Sequence, residues 1–347
     1  MQVNYKFVNY GEDLSPEEGA IVLDVGLKTV PGVIDHHHPG AEPECTASLL
    51  AKYPRLVLDH LKPGELREES GEARRLMIIT HRLPDFDSVS SIFLTLKILE
   101  LGRVDASMAK IAAYAKLVDS ARLPPNIDLA ATPYSILRAL FAGAKKDEME
   151  LSRDRADEGL RFMRFLYTKS EEGMEITQNR LLFKGIDRYE RAMRRAEDDY
   201  FRYLADLGRS RMIALELPLV SGRGFRLVDG LVVRNPRSFL LKELARRDMS
   251  NSPRRAGFSF IMTNFGDERY TLGVDPEKGI NLRGLADILN AREFGKRAAR
   301  GRPPGMRWYD GNCPFFNFRI VVSPQDGTFL KQEEIADCLM AFGHPSR

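Results

Sequence analysis

The sequence predicts an α/β fold in which short buried strands alternate with helices. Residues 20–25, Ala-Ile-Val-Leu-Asp-Val, and residues 76–80, Leu-Met-Ile-Ile-Thr, are apolar runs of strand length, and residues 88–101 show apolar side chains at helical spacing. Buried strands that alternate with helices indicate a parallel sheet, in which functional groups collect at the carboxyl ends of the strands. Both apolar runs lead into acids and histidines, so we expect the functional site there.

Composition limits the class of protein. The 347 residues suffice for two domains with separate cores, and 43% hydrophobic with 29% charged residues is typical of a soluble globular chain. With 52 basic and 49 acidic residues the net charge is +3, which predicts no general attraction to nucleic acid. The three cysteines lack paired spacing, so neither a disulfide framework nor a thiolate zinc site is indicated. Without an apolar leader or a run of membrane-spanning length, we expect a cytoplasmic protein and no membrane partner.

The first predicted domain covers residues 1–143. Gly26 and Pro31-Gly32 separate the first strand from a second one at 33–35, and a charged surface connection follows at 62–75. Helical spacing begins near Thr46 and recurs in two longer segments. The predicted elements, in order, are strands 20–25 and 33–35, a helix from Thr46, strand 76–80, and helices 88–101 and 107–118.

A helical linker at 144–209 and a smaller C-terminal α/β domain at 210–347 complete the prediction. The linker is highly charged, and its apolar residues recur at spacings of three and four, which is typical of an amphipathic helix between domains. Its charges predict a solvated face, with a homo-oligomer interface as the alternative. In the last domain we predict strands 212–217, 225–233, 258–263, 270–274 and 318–322, and helices 238–247, 282–300 and 332–342.

Two stretches carry the candidate chemistry. Residues 31–40, Pro-Gly-Val-Ile-Asp-His-His-His-Pro-Gly, hold an acid and three of the six histidines of the chain. Taken alone, this stretch is also compatible with a solvent-facing polar loop. A second hydrophobic strand, however, runs into His81, Asp85 and Asp87. Two strands that both end in histidines and aspartates predict one site for several metal ions.

The acids and imidazoles at strand and helix ends suit a particular group of metals. Carboxylates forced together cannot all stay ionised without counter-cations. Mixed imidazole and carboxylate ligands favour manganese, iron, zinc or cobalt, whereas pure magnesium or calcium sites prefer oxygen ligands alone. One carboxylate between two metals is the arrangement of two-metal hydrolysis. The predicted set is Asp24, Asp35, His36, His37, His81, Asp85, Asp87 and Asp119.

These motifs resemble the DHH (Asp-His-His) phosphoesterase superfamily. Residues 81–88, His-Arg-Leu-Pro-Asp-Phe-Asp-Ser, are similar to its H-x-x-P-D-x-D-[SA] motif, and residues 35–37 are similar to the motif that names the family. Asp24 resembles its isolated aspartate, and residues 119–122, Asp-Ser-Ala-Arg, resemble its last motif with Ala121 in place of glycine. The H-x-x-P-D-x-D motif usually comes first in the chain and here follows the DHH segment. The motif order is therefore permuted.

The resemblance implies a fold, a cofactor and a role for each residue. The fold would be a DHH-type catalytic domain, and the cofactor would be two divalent ions, Mn²⁺ in the first place, with Mg²⁺, Co²⁺ and Zn²⁺ as alternatives. Asp24 would bridge the two ions, Asp35 would orient a neighbouring imidazole, and His37 would meet a phosphate oxygen of the substrate. By the same resemblance His81, Asp85 and Asp24 would hold one ion, and Asp87, Asp24, His36 and Asp119 would hold the other.

The C-terminal domain carries weaker signals for substrate binding. Family members grip the substrate with a glycine-rich loop and basic groups, but the usual G-G-G-H loop is missing here. The loop that contains Trp308 and Tyr309 is the candidate for a functional counterpart of the G-G-G-H loop. Trp308 or Tyr309 is a candidate for stacking on a base, and Arg283 or Arg297 for pairing with phosphate. An ordinary turn, a surface arginine or a packed aromatic is the alternative for each.

We therefore expect a phosphohydrolase or phosphodiesterase that cleaves a phosphoester or phosphoanhydride by a metal-activated hydroxide. The substrate would be a phosphorylated small molecule, with a nucleotide or short oligonucleotide favoured. A pyrophosphatase or exopolyphosphatase is one alternative. A metal- or nucleotide-binding regulatory protein without turnover is the other, because the last motif is altered and the glycine-rich loop is absent.

Overall fold

The chain forms two compact units. A computed structural model describes residues 2–61, 75–266, 268–303 and 305–343. The first unit comprises Met1–Arg195 with Cys313–Phe315, and the second comprises Ala196–Asn312 with Phe316–Arg347. The surface connection predicted at 62–75 lies outside the described residues except for Arg75.

The sheet of the first unit is mostly parallel. Its strand order is β1-β5-β2-β4-β3, and the pairs β1/β5, β5/β2 and β2/β4 are parallel, whereas β3 pairs antiparallel with β4. The predicted α/β class is confirmed, but the sheet is mixed because residues 29–34 form a short hairpin around Pro31-Gly32. The strands are β1 (Gln2–Val8), β2 (Ala20–Leu23), β3 (Thr29–Val30), β4 (Val33–Ile34) and β5 (Arg75–His81).

Helices cover this sheet and continue into the segment predicted as a linker. The helices are α1 (Thr46–Lys52), α2 (Arg55–Leu58), α3 (Phe86–Leu101), α4 (Ala106–Asp119), α5 (Pro133–Phe141), α6 (Glu148–Glu171), α7 (Arg180–Phe183) and α8 (Asp187–Leu207). The division between the two units falls within α8. None of the helices in the described ranges combines the length and the apolar composition that a membrane crossing needs.

Helix α6 packs closely against α3. Gly159 makes this approach possible, because a Cβ atom at this position would lie 2.5 Å from Val89 Cγ1, well inside van der Waals contact. At the same end of α3, the Asp85 side chain accepts a hydrogen bond from the backbone N–H of Ser88 at 3.1 Å and caps the helix. The cap fixes the first turn of α3, which carries Asp87.

The second unit is built on a second mixed sheet with the strand order β10-β9-β8-β7-β6, in which only β7 and β8 are parallel. Its core contains Leu272 from the sheet, Leu289 and Leu339 from helices, and Trp308. The elements are β6 (Arg211–Pro218), β7 (Phe225–Arg234), α9 (Leu241–Arg247), β8 (Phe260–Asn264), β9 (Tyr270–Val274), α10 (Leu285–Ala299), β10 (Ile320–Val322) and α11 (Gln332–Gly343).

Candidate metal centre

Three parallel strands deliver their polar groups to one edge of the first sheet. β2 lies between β4 and β5, with Leu23 paired to Ile34 and Val22 paired to Ile79. Asp24 and Asp35 directly follow their strands, and His81 ends its own. The backbone N–H of Asp24 donates to Ile34 O at 2.9 Å, which ties two of the motif segments together. The convergence follows from parallel pairing, because the carboxyl ends of such strands share an edge.

The structure brings all eight predicted acids and histidines of the first unit together. In the described chain they form three overlapping groups, and within each group the candidate ligand atoms lie within 4.8 Å of one another. Asp24 belongs to two of the groups, and His36 also belongs to two. The groups are Asp24, His81 and Asp85; His36, Asp87 and Asp119; and Asp24, Asp35, His36 and His37.

Asp24 occupies the middle of the cluster and is 2% exposed. Its Oδ2 atom lies 3.3 Å from His81 Nε2, and its Oδ1 atom lies 3.5 Å from His36 Nδ1. Burial alone would raise the pKa of this carboxyl, but the hydrogen bond with His81 and the charges of the imidazoles outweigh burial and hold the pKa well below its usual range. The two oxygens of Asp24 thus face different imidazoles.

Asp87 lies near the same nitrogen of His36 as Asp24, with its Oδ2 atom 3.9 Å from Nδ1. Its carboxylate accepts hydrogen bonds from the N–H groups of Thr46 at 2.9 Å and Ala47 at 3.0 Å, at the N-terminus of α1. Burial, followed by the charges of Asp24 and nearby acids, nevertheless raises the pKa of Asp87 well above its ordinary value. The buried carboxyl therefore needs either a proton or a cation beside it.

The surroundings of His37 favour its protonated form. Its Nδ1 atom lies 2.7 Å from Asp35 Oδ1, and Asp35 also accepts the backbone N–H of Leu27 at 2.7 Å. Burial opposes the charged imidazole, but the hydrogen bond to Asp35 and the charges of Asp35, Asp24 and Asp119 prevail and raise the pKa of His37 to about 10. Asp35 thereby fixes the orientation of the ring.

His81 directs one nitrogen into the cluster. Its Nδ1 lies 2.8 Å from the carbonyl oxygen of Arg82, to which it donates, so that Nε2 is left as the candidate ligand atom. The Ser88 hydroxyl lies 2.5 Å from Nε2 and donates to Asp24 Oδ2 at 2.6 Å. A backbone acceptor behind a ligating imidazole is a common feature of metal sites.

Each of the three groups of acids and histidines could hold a metal ion. Asp119 Oδ2 is buried, and within the described ranges no hydrogen-bond donor satisfies it; it lies 3.3 Å from His36 Nε2. Buried carboxylates in excess of the available donors require positive charge. The mixed set of nitrogen and oxygen atoms is also the kind that Mn²⁺, Co²⁺ or Zn²⁺ accepts.

Sequence reasoning missed two residues of the site. The Tyr10 hydroxyl lies 2.9 Å from His81 Nε2, and the Thr46 hydroxyl lies 3.1 Å from Asp24 Oδ1 and 3.2 Å from His36 Nδ1. Thr46 entered the sequence argument only as a helix start. Tyr10 follows β1, a strand that was not predicted although Val3, Tyr5 and Phe7 alternate with polar residues.

The four predicted substrate residues lie in the second unit and differ in exposure. Arg283 is exposed, with its guanidinium 4.4 Å from the centre of the Phe318 ring. Arg297 is buried, and it donates to Glu293 Oε1 at 2.8 Å and to the Gly327 carbonyl oxygen at 2.9 Å. Trp308 is 3% exposed and packs in the core, and Tyr309 is half-buried and pairs with Val322 in a β-bridge.

No protein-family model, curated protein or solved structure matches this chain. Its activity is therefore inferred from the geometry of the site and from the motifs themselves.

Proposed function

We propose that this chain is a metal-dependent phosphohydrolase of the DHH type, which cleaves a phosphoester or phosphoanhydride. The observation that carries the proposal is the position of Asp24, shared by the group with His81 and Asp85 and by the group with His36. A carboxylate shared between two clusters of ligands is what a dinuclear hydrolytic site needs.

The grouping of the candidate ligand atoms supports the ligand assignment that the resemblance implies. His81, Asp85 and Asp24 would hold one ion, and the second would be held by His36, Asp87 and Asp119 together with Asp24. Bound divalent cations lower the pKa of water, so that hydroxide is available near neutral pH, and they neutralise charge that develops on a phosphoryl group. Mn²⁺ is the first candidate, and Mg²⁺, Co²⁺ and Zn²⁺ are the alternatives.

His37 is the proposed proton donor of the site. Asp35 engages its Nδ1 at 2.7 Å, so Nε2 is the nitrogen that would donate to a phosphoryl oxygen. The hydrogen bond and the charge of Asp35 raise the pKa of His37 in the metal-free protein and favour the protonated imidazole. A positive imidazole also stabilises an anionic group beside it.

A nucleotide or short oligonucleotide remains the favoured substrate class. Arg283 supports this choice best, because its guanidinium is exposed beside the Phe318 ring. Tyr309 stays a candidate for stacking. Arg297 and Trp308 stay predictions as substrate contacts, although the side chain of each is buried in the second unit.

A substrate panel with Mn²⁺ tests the proposal. Release of phosphate or nucleotide would be measured for pyrophosphate, polyphosphate, dinucleotides and short single strands. We expect turnover by the unaltered chain and a loss of at least about a thousandfold in Asp87→Ala, since removing a ligand costs several kcal/mol of transition-state stabilisation. Asp59→Ala is the control, because Asp59 is exposed and pairs with Arg55 at 3.1 Å outside the site.

The pattern of hydrolysis separates the alternatives. Preference for pyrophosphate or polyphosphate would select a pyrophosphatase or exopolyphosphatase with the same chemistry. Tight nucleotide binding without hydrolysis in Mn²⁺ would select a regulatory protein. Full Mn²⁺-dependent activity in Asp87→Ala would contradict the assignment.

A further inference from the structure

Tyr10 stands at the edge of the candidate metal centre, in a loop that no motif covers. Strand β1 runs parallel to β5 with Val8 beside His81, and the N–H of Arg82 donates to Val8 O at 2.9 Å. This register carries Tyr10, two residues further on, over the imidazole of His81. The two rings stack with centroids 4.1 Å apart and an angle of 24° between their planes. The position of Tyr10 is thus set by the sheet.

The Tyr10 hydroxyl lies close to the candidate ligand atom of His81. It is 2.9 Å from Nε2, and Nε2 is the candidate ligand atom because Nδ1 faces the Arg82 carbonyl oxygen at 2.8 Å. Because the two rings are stacked, the hydroxyl approaches Nε2 from the face of the imidazole, whereas the lone pair of Nε2 lies in the plane of the ring.

We propose that Tyr10 is a substrate-binding residue, whose hydroxyl donates a hydrogen bond to a phosphoryl oxygen of the substrate when the site is loaded. The stacked ring stays on His81 and keeps the hydroxyl at the mouth of the cluster, where Asp85 is also exposed. This inference rests on the proposed function.

Tyr10 keeps its proton at neutral pH, because phenols ordinarily titrate near a pH of about 10. Its side chain is on the solvent side of the cluster, and the residue is 45% exposed. A neutral phenol beside carboxylates donates its proton in hydrogen bonds, and a phosphoryl oxygen is a strong acceptor.

Calorimetric titration of Mn²⁺, followed by inorganic phosphate on the Mn²⁺-loaded protein, tests the proposal without turnover. In Tyr10→Phe we expect Mn²⁺ affinity within about twofold of the unaltered chain and phosphate affinity lowered about tenfold, as for loss of a hydrogen bond to a charged acceptor. Tyr10→Leu, which also removes the ring, should lose phosphate affinity at least as strongly. Tyr53→Phe is the matched control, because the Tyr53 hydroxyl donates to Glu42 at 2.6 Å on the surface.

The other outcomes each overturn the proposal in a recognisable way. Unchanged phosphate affinity in Tyr10→Phe would show that only the ring matters, and the proposed function would stand. Loss of Mn²⁺ affinity in Tyr10→Phe would show that the hydroxyl contributes to metal binding and not specifically to phosphate binding. The proposed function would again stand. Failure of the unaltered chain to bind Mn²⁺ would remove both proposals together.

Discussion

Protonation of His37 beside Asp35 makes the free energy of unfolding of the metal-free protein depend on pH. The pKa of His37 is raised from 6.5 to about 10, so the folded state binds this proton more tightly than the unfolded state. The resulting stability is fully present below a pH of about 6.5 and is lost as the pH rises through about 10. The site thus holds positive charge of its own before any ion binds.

Asp35→Asn should lower the pKa of His37 by several units towards the ordinary value for histidine, because both the charge and the acceptor of the 2.7 Å hydrogen bond are altered. An NMR titration of the His37 ring in the presence of chelator measures this directly. Asp13→Asn is the control, since Asp13 pairs with Lys28 at 2.6 Å on the surface. A His37 pKa that stays near its original value in Asp35→Asn would contradict this explanation.

Among the individual site residues, the sequence predicted those that directly follow apolar strands. It missed those that reach the site from a loop or from the start of a helix. Asp24, Asp35 and His81 could be found because each lies at the end of a recognisable strand. Thr46 and Tyr10 could not, because a threonine at a helix start and a tyrosine in a loop are common. Only the pairing of β1 with β5 brings Tyr10 to His81.

One face of α6 holds the backbone of the H-x-x-P-D-x-D segment. Ser152 Oγ accepts the N–H of Leu83 at 2.8 Å, and Arg155 donates to the carbonyl oxygen of Leu83 at 3.3 Å. One turn before Ser152, Glu148 accepts a hydrogen bond from Arg82 at 3.4 Å. Leu83 has a φ of 53°, which is unfavourable for a branched side chain. The helix therefore stabilises the strained turn between His81 and Asp85.

Ser152→Ala should weaken Mn²⁺ binding about tenfold, because residues that orient metal ligands typically contribute at least that much. Isothermal titration calorimetry measures the effect. Ser170→Ala is a matched control, since Ser170 lies buried on the same helix and its hydroxyl has no hydrogen-bond partner in the described ranges. Equal Mn²⁺ affinity in the two variants would show that α6 does not position the ligands.

Element positions were largely predictable, and contacts between elements were not. The predicted helices at 88–101 and 107–118 correspond to α3 (Phe86–Leu101) and α4 (Ala106–Asp119) because apolar spacing and capping residues are local signals. The support of Leu83 by α6 depends on residues about 70 positions apart, and charge along α6 favoured a linker. The spacing of apolar residues along the chain carries no information about which distant residues form a hydrogen bond.

For the whole molecule, the sequence predicted the α/β class and several strands, but not the order of the strands in the sheet. β5 lies between β1 and β2, so segments far apart in the chain become neighbours. The unpredicted strands β1 and β3 form the two edges of the sheet, and β3 is only two residues long. Short or partly exposed edge strands give weak patterns because few of their side chains are buried.

Distant segments of the first unit bring their acids and histidines together around Asp24, and we propose that the resulting site holds two cations. Electron paramagnetic resonance during a Mn²⁺ titration of the whole chain measures both the number of ions and their proximity. We predict two Mn²⁺ per chain with a magnetically coupled signal, and loss of the coupling in Asp24→Ala, because this variant removes the shared carboxylate. A single uncoupled ion, or no bound Mn²⁺, in the unaltered chain would contradict the claim.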